Sequence, residues 1–212
     1  MADEGGRNAR RRARTRRALL DAARRVIART GTVDVSIQEI TEEADVGFGS
    51  FYNHFTTKEE LLQEAVNEVL DGFGAQLDAA SAGIGDWAVR YAIGVRMTTR
   101  MAINQPAVAR VLFAFGATHI LSDKGLGPRA RRDIEGAVEA GRFTVRNTNV
   151  ALATTAGCVL AFARMTMDQP GQLTADDADE LAEQLLRMLG MNARSAAAIA
   201  YRPLPAFPRR EA

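Results

Sequence analysis

Only one cysteine, Cys158, occurs in the 212 residues. A single thiol forms no intrachain disulfide and excludes a Cys-rich zinc site. Histidine is nearly as scarce: His54 and His119 leave few general bases, and no Glu-x-x-His pair is present for a di-iron bundle. Neither a Gly-x-Ser-x-Gly nucleophile turn nor a phosphate-binding glycine loop occurs. Hydrolytic and redox chemistry therefore lack visible apparatus, so no catalytic residue, cofactor or metal is assigned. Apolar runs look well short of a bilayer span of about eighteen residues, and the basic N-terminus has no apolar h-region. The expected setting is a reducing cytoplasm, with no membrane contact.

Net charge is almost absent too, at +1 from 27 basic and 26 acidic side chains. As a bulk figure this excludes a generally basic nucleic-acid coat and an acidic solvating tail. Along the chain, however, the charge is segregated. Residues 1–30 hold ten Arg against Asp3, Glu4 and Asp21, a net of +7. Residues 31–60 set Lys58 against seven acids, a net of −6, and the remainder balances.

Period-two strand patterns are missing, while Ala, Leu and Val recur at i, i+3, i+4 spacing, so the expected fold class is all-α. A first helix is expected from about Arg12 to Thr30, with Leu19, Leu20, Ala23, Val26 and Ile27 on one face and Gly31 as its stop. Ser36-Ile37-Gln38-Glu39 reads as a capping box opening a short second helix that ends by Ala44. Asp45 and Val46 turn into a third helix over about Phe48–His54. Thr57-Lys58-Glu59-Glu60 is another capping box, opening a long helix to about Ala80. After a linker at 81–85, Asp86 caps a helix to Ile103 that is apolar on most sides, which predicts deep burial. Further helices are expected over 106–121, 128–141, 148–167 and 176–189. The tail from Met191 to Ala212 holds three of the six prolines and reads as an irregular arm. The expected organisation is a basic arm over 1–12, a helix-turn-helix unit over 13–80, a second helical domain over 86–190 and a tail over 191–212.

Short helix pairs are common in bundles, so the turn at 44–47 is weak evidence by spacing alone. The residues are more specific. Val46-Gly47-Phe48-Gly49-Ser50-Phe51-Tyr52-Asn53-His54-Phe55, then Thr56-Thr57-Lys58-Glu59-Glu60-Leu61, join a Tyr-x-His-Phe element to a Lys-Glu-x-Leu element. This segment resembles the signature of TetR-family (tetracycline-repressor-like) transcription regulators. The resemblance covers about residues 13–73; beyond them it rests on length and helix order.

The resemblance implies an N-terminal three-helix helix-turn-helix DNA-binding domain and a C-terminal helical ligand-binding and dimerisation domain. It implies a sequence-specific regulator, a homodimeric repressor released from near-palindromic double-stranded operator DNA by a small-molecule effector. The helix at 48–54 becomes the recognition helix in the major groove. Ser36, with Ile37 beside it, matches a position facing a phosphate at a helix N-terminus. Tyr52, His54 and Lys58 match backbone-contacting positions, and Phe55 matches an apolar anchor. Gly47, Phe48, Gly49, Ser50 and Asn53 occupy the face from which bases are read. Seven arginines between Arg7 and Arg17, Arg14 and Arg16 among them, precede this unit. A charge run is commonly a solvated segment; placed here it reads as lying along phosphates or in the minor groove.

Three residues depart from the family pattern. Asp45 stands where Gly is favoured, at a turn position with positive φ that Asp tolerates better than most residues. Gly47 replaces a common Ser cap. Phe48 puts a ring where a polar or basic residue is usual; it either packs on a thymine methyl or folds back onto Tyr52.

By the same resemblance the helices near 148–168 and 176–189 pair with their copies in a homodimer. Ala151, Ala153, Gly157 and Ala161 permit a close seam, with Leu181, Leu185, Leu186 and Leu189 as a second stripe; an intrachain contact has the same pattern. Candidate effector-binding residues are Trp87, Tyr91, Met97, Met101, Phe113, His119, Phe162 and Met165, with Cys158 beside them. Such residues are more often plain core. Arg96 and Arg100, one turn apart, either recognise an anionic effector or pair with acids. Cys158 reads as an inert buried thiol. A small helical enzyme, an activator and a purely architectural DNA binder remain as alternatives. The architectural reading leaves everything after the helix-turn-helix without a task.

Overall fold

Side-chain caps fix where most helices begin. The computed structural model describes residues 2–30, 32–106, 109 and 125–205, with side chains from Gly6 onward. The regular structure of the described residues is helical throughout: α1 (Ala2–Thr30), α2 (Ile37–Glu43), α3 (Phe48–Phe51), α4 (Lys58–Ala80), α5 (Trp87–Asn104), α6 (Gly127–Glu139), α7 (Thr148–Asp168), α8 (Ala175–Met188) and α9 (Ala193–Ala200). The Ser36 hydroxyl accepts from Glu39 N–H at 3.1 Å while the Glu39 carboxylate accepts from Ser36 N–H at 2.8 Å, a reciprocal box. At α4, Thr57 Oγ1 accepts from Glu60 N–H at 3.1 Å, and the Glu60 carboxylate accepts from Thr56 N–H at 2.7 Å. Asp86, Asn147, Thr174 and Asn192 cap α5, α7, α8 and α9.

Four expectations need correction. Helix α1 begins at Ala2 rather than near Arg12, because Ala and Arg are strong helix formers and no proline interrupts them. The regular part of α3 ends at Phe51, with Tyr52–His54 continuing as a turn. The tail is not wholly irregular: Asn192 starts α9, which buries Ala196, Ile199 and Ala200 before the first tail proline. Helix α7, with a mean hydropathy of 1.5 over its best window, is long and apolar enough to cross a bilayer by length and composition. Its alanines, glycine and threonines disguise that run, and Leu152, Thr155, Phe162 and Ala163 form its buried side. The helix expected over 106–121, carrying Phe113 and His119, lies almost wholly outside the described residues.

The chain divides into two compact units, Met1–Glu68 and Val69–Ala212, with α4 running through the division. The first unit closes over Leu19, Val26, Ile40, Phe51, Phe55, Leu61 and Val66, all nearly inaccessible. The second is built around α5, which packs against α6, α7, α8 and α9. Twelve residues of α5 are buried, in line with its all-round apolarity. Arg96 and Arg100 are resolved in favour of an acid partner. Arg96 makes a bidentate pair with the buried Asp179 at 2.7 and 3.0 Å, and Arg100 reaches the same carboxylate at 2.7 Å. Arg96 also donates to the Arg202 carbonyl at 2.7 Å, tying down the chain after α9.

Asp45 carries φ of 53°, the one positive value among described non-glycine residues. Asp45→Ala keeps the turn but adds left-handed strain, so urea denaturation should report a loss of about 1 kcal/mol. Asp45→Gly should not lose stability.

Candidate DNA interface and ligand cavity

Phe51 sets the orientation of α3. Its ring is fully buried and meets Phe55 at 5.9 Å and Tyr52 edge-on at 5.3 Å. With Phe51 and Phe55 pinned inside, the intervening helix turn shows its other side chains to solvent. Gly47, Phe48, Gly49, Tyr52 and Asn53 are exposed, while Ser50, His54 and Lys58 are half-buried. Phe48 and Tyr52 are 51% and 57% exposed, yet their rings also meet edge-on at 5.9 Å. Of the two alternatives for Phe48, the fold-back onto Tyr52 is present, and the ring stays accessible. Ser36 is exposed and Ile37 half-buried at the start of α2. The Ser36 hydroxyl donates to Glu39 at 2.8 Å, so a phosphate there competes with that carboxylate.

The basic half of α1 separates into two groups. Arg17 bonds Glu68 at 3.2 Å, and Arg25 and Arg29 bond Glu43 at 2.7 and 2.8 Å. Arg25 and Arg29 hold the Glu43 carboxyl below its usual range. Arg16 pairs with Glu64, which holds its guanidinium in the charged form, and lies 4.7 Å over the Phe55 ring. Arg10, Arg11 and Arg14 are exposed. Arg12 donates to the Asn53 carbonyl at 3.1 Å, bringing the arginine run beside the turn that follows α3. His54 Nδ1 is buried without a hydrogen-bond partner among the described residues. Burial, then the Arg12 and Arg16 charges, lower the affinity of this imidazole for a proton. Lys58 stands 3.9 Å from the exposed Asp34.

The second unit contains a cavity of about 150 Å³ among α4, α5, α6 and α7. Tyr91, Gly94, Val95, Thr98 and Ala102 line it from one stripe of α5. Among the described residues, Tyr91 alone of the expected effector residues borders it. Met97, Met101 and Phe162 are buried away from it, and Met165 is 46% exposed. Trp87 is half-buried, with its ring where a Cβ on Gly136 would stand and Arg90 4.7 Å above it. Cys158 is partly buried and also off the cavity lining. Phe113 and His119 lie outside the described residues.

Arg129 spans the α4 side of the cavity. It lies against Gly74, where any Cβ would stand 2.5 Å from its guanidinium, and reaches Asp78 at 2.8 Å and Asp71 at 3.4 Å. Arg132 joins Asp78 at 3.0 Å to Asp133 at 3.0 Å, and Arg90 stands 3.8 Å from Asp133. Burial pushes the Asp133 carboxyl upward against the pull of Arg132.

Two segments of the chain match known families. Residues 19–65 match the model of bacterial regulatory proteins of the tetR family, and residues 86–202 match that of the tetracyclin repressor-like C-terminal domain. The chain belongs to the TetR family. It is a helix-turn-helix, DNA-binding regulator of transcription. The crystal structure of RolR in complex with resorcinol is 34% identical, with a TM-score of 0.81 over 94% of this chain and 100% of that one. A putative tetR family regulator from Shewanella sp. PV-4 shares the fold at 18% identity and a TM-score of 0.65, over 84% of this chain and 99% of that one. The HTH-type transcriptional regulator BetI of Brucella anthropi is 35% identical over 65 residues, 31% of this chain. That match spans 34% of the BetI sequence, about a third of its length.

For this TetR-family chain, the residues that sequence reasoning missed are charged ones. Arg12 at Asn53 and the Arg90–Asp133–Arg132–Asp78–Arg129 lattice carry no motif. Their partners lie 41 to 58 positions apart in the longest pairs, which periodicity does not reveal.

Proposed function

We propose that this regulator is a cytoplasmic homodimeric repressor whose second unit binds a small-molecule effector that releases it from DNA. The observation that carries the DNA reading is α3 itself: an exposed Phe48–Tyr52 pair, held by buried Phe51, with Arg12 alongside. Two such helices in a C2 dimer address half-sites about one helical turn apart, hence a near-palindromic operator. Phe48 and Asn53 read bases; Ser36, Tyr52, Lys58 and the early arginines take phosphates.

The dimer reading is supported by what α7 and α8 leave uncovered. Val150, Ala153, Gly157, Ala161 and Met165 are exposed along one side of α7, and Met188 is 51% exposed on α8. RolR was crystallised with resorcinol and also without ligand, which supports a small-molecule effector here. Coupling runs through α4, whose residues contribute to both units. The effector must bind the DNA-incompetent arrangement more tightly than the competent one.

The test begins with DNA selected from a random pool by the full-length protein. Tyr52→Phe and Lys58→Ala should weaken binding evenly across all selected and scrambled sites. Phe48→Ala should cost about tenfold or more at the preferred site and little elsewhere, since a good base contact discriminates by about 1–3 kcal/mol. Equal loss on every site for Phe48→Ala contradicts its base-reading role. Sedimentation of the free protein as a monomer contradicts the dimer.

A further inference from the structure

The cavity in the second unit has a hydrogen-bonding polarity that its own residues fix. Thr155 Oγ1 donates to the Ala151 carbonyl at 2.8 Å, so the 2.7 Å contact between Tyr91 Oη and Thr155 uses the Tyr91 proton. Thr98 Oγ1 gives its proton to the Gly94 carbonyl at 2.7 Å, and Ser81 Oγ gives its own to the Leu77 carbonyl at 2.8 Å. A hydroxyl has one proton and two lone pairs. The four hydroxyls among the described lining residues therefore present lone pairs alone to an occupant. Burial raises the Tyr91 phenol far above neutrality, so it keeps the proton it has committed.

Among the described residues the charged end is balanced once Asp71, outside the lining but in contact with Arg129, is counted. Arg90, Arg129 and Arg132 stand against Asp71, Asp78 and Asp133, which they contact at 2.8 to 3.8 Å. Among the described residues each of these guanidiniums already faces a carboxylate, while Arg90 Nε, buried without a hydrogen-bond partner, remains a donor to a ligand oxygen. A buried anion without a surplus counter-charge is strongly disfavoured. The other walls are apolar, with Leu77, Val95, Leu152 and Val159 among them. A space of about 150 Å³ matches an apolar cavity known to accept benzene, one ring and little more.

We propose that this cavity binds an uncharged, single-ring aromatic molecule whose hydroxyl groups donate hydrogen bonds to the lining oxygens and to Asp133. The proposal rests on the effector reading above and specifies the chemistry of its ligand. Gly94 lines the cavity and has open space where a Cβ would stand, so Gly94→Leu projects a side chain into the site from a position whose Cβ is unobstructed.

Isothermal titration calorimetry of the full-length protein with resorcinol, its dimethyl ether and benzoate tests the polarity. Resorcinol should bind at least tenfold tighter than the dimethyl ether, and benzoate should give no heat. Gly94→Leu should abolish resorcinol binding while leaving the circular-dichroism melt in place. Equal affinity for the ether, preference for benzoate, no binding by resorcinol, or undiminished binding to Gly94→Leu each overturns the proposal. Fluorescence anisotropy on pool-selected DNA separates this from the effector reading. Resorcinol that binds but leaves DNA affinity unchanged keeps the ligand chemistry and refutes the effector role. DNA release by benzoate alone refutes the chemistry and keeps the role.

Discussion

Asp179→Ala should destabilise the second unit by about 3–5 kcal/mol, the usual cost of removing one partner from a buried charge cluster. Asp179 holds two guanidiniums at once, and the Arg96 side chain is only 4% exposed. Without the carboxylate, Arg96 retains the Arg202 carbonyl as its partner, and a buried positive charge goes uncompensated. Exposed ion pairs contribute far less, so Arg164→Ala, which removes an i,i+4 pair with Asp168, should change stability by under about 1 kcal/mol. Urea denaturation followed by circular dichroism compares the two. The loss in Asp179→Ala should be largely recovered when Arg96 and Arg100 are also replaced by methionine, because the unpaired charges are then gone. A loss in Asp179→Ala no larger than in Arg164→Ala would show that the cluster contributes little.

Deleting residues 1–12 should weaken operator binding by orders of magnitude and flatten its salt dependence. The deletion removes Arg7, Arg10, Arg11 and Arg12, and each phosphate contact contributes about 0.9 to the log–log slope, so the slope should fall by about 3 to 4. Stability should hardly change, since the buried face of α1 begins at Leu19. Electrophoretic mobility shifts between 50 and 200 mM salt, roughly the range over which such contacts act, provide the measurement. An unchanged slope would show that these arginines do not meet phosphates. Arg17, Arg24, Arg25 and Arg29 lie outside this expectation because their charges are spent on Glu68, Asp21 and Glu43.

Much of the N-terminal unit was legible in the sequence because its determinants are local. The Ser36 and Thr57 boxes, the positive-φ turn at Asp45 and the Phe51–Phe55 anchor depend on neighbours within a few positions. The cavity of the second unit was not legible in the same way. Trp87, Met97 and Met101 lie on the apolar helix α5 together with Tyr91, Val95 and Thr98. On a helix apolar all round, composition does not mark which stripe faces a cavity and which faces neighbouring helices. Rotation about the helix axis decides it, and that rotation is set by α6, α7 and α8. The same limit held for Arg96 and Arg100, whose partner stands about 80 positions away on α8.

The scarcities of the sequence were informative in the same local sense. One cysteine removed any intrachain disulfide, because that bond needs two such side chains. The near-zero net charge became meaningful once divided into +7 and −6. By itself the sequence determined most of the described helices, their caps and the family, since each is written in short-range spacing. Only the tertiary structure decided which arginines are consumed by carboxylates and which line the cavity. It also decided where the hydroxyl protons go. Those outcomes depend on long-range contacts, in which distance through space and not along the chain selects each partner.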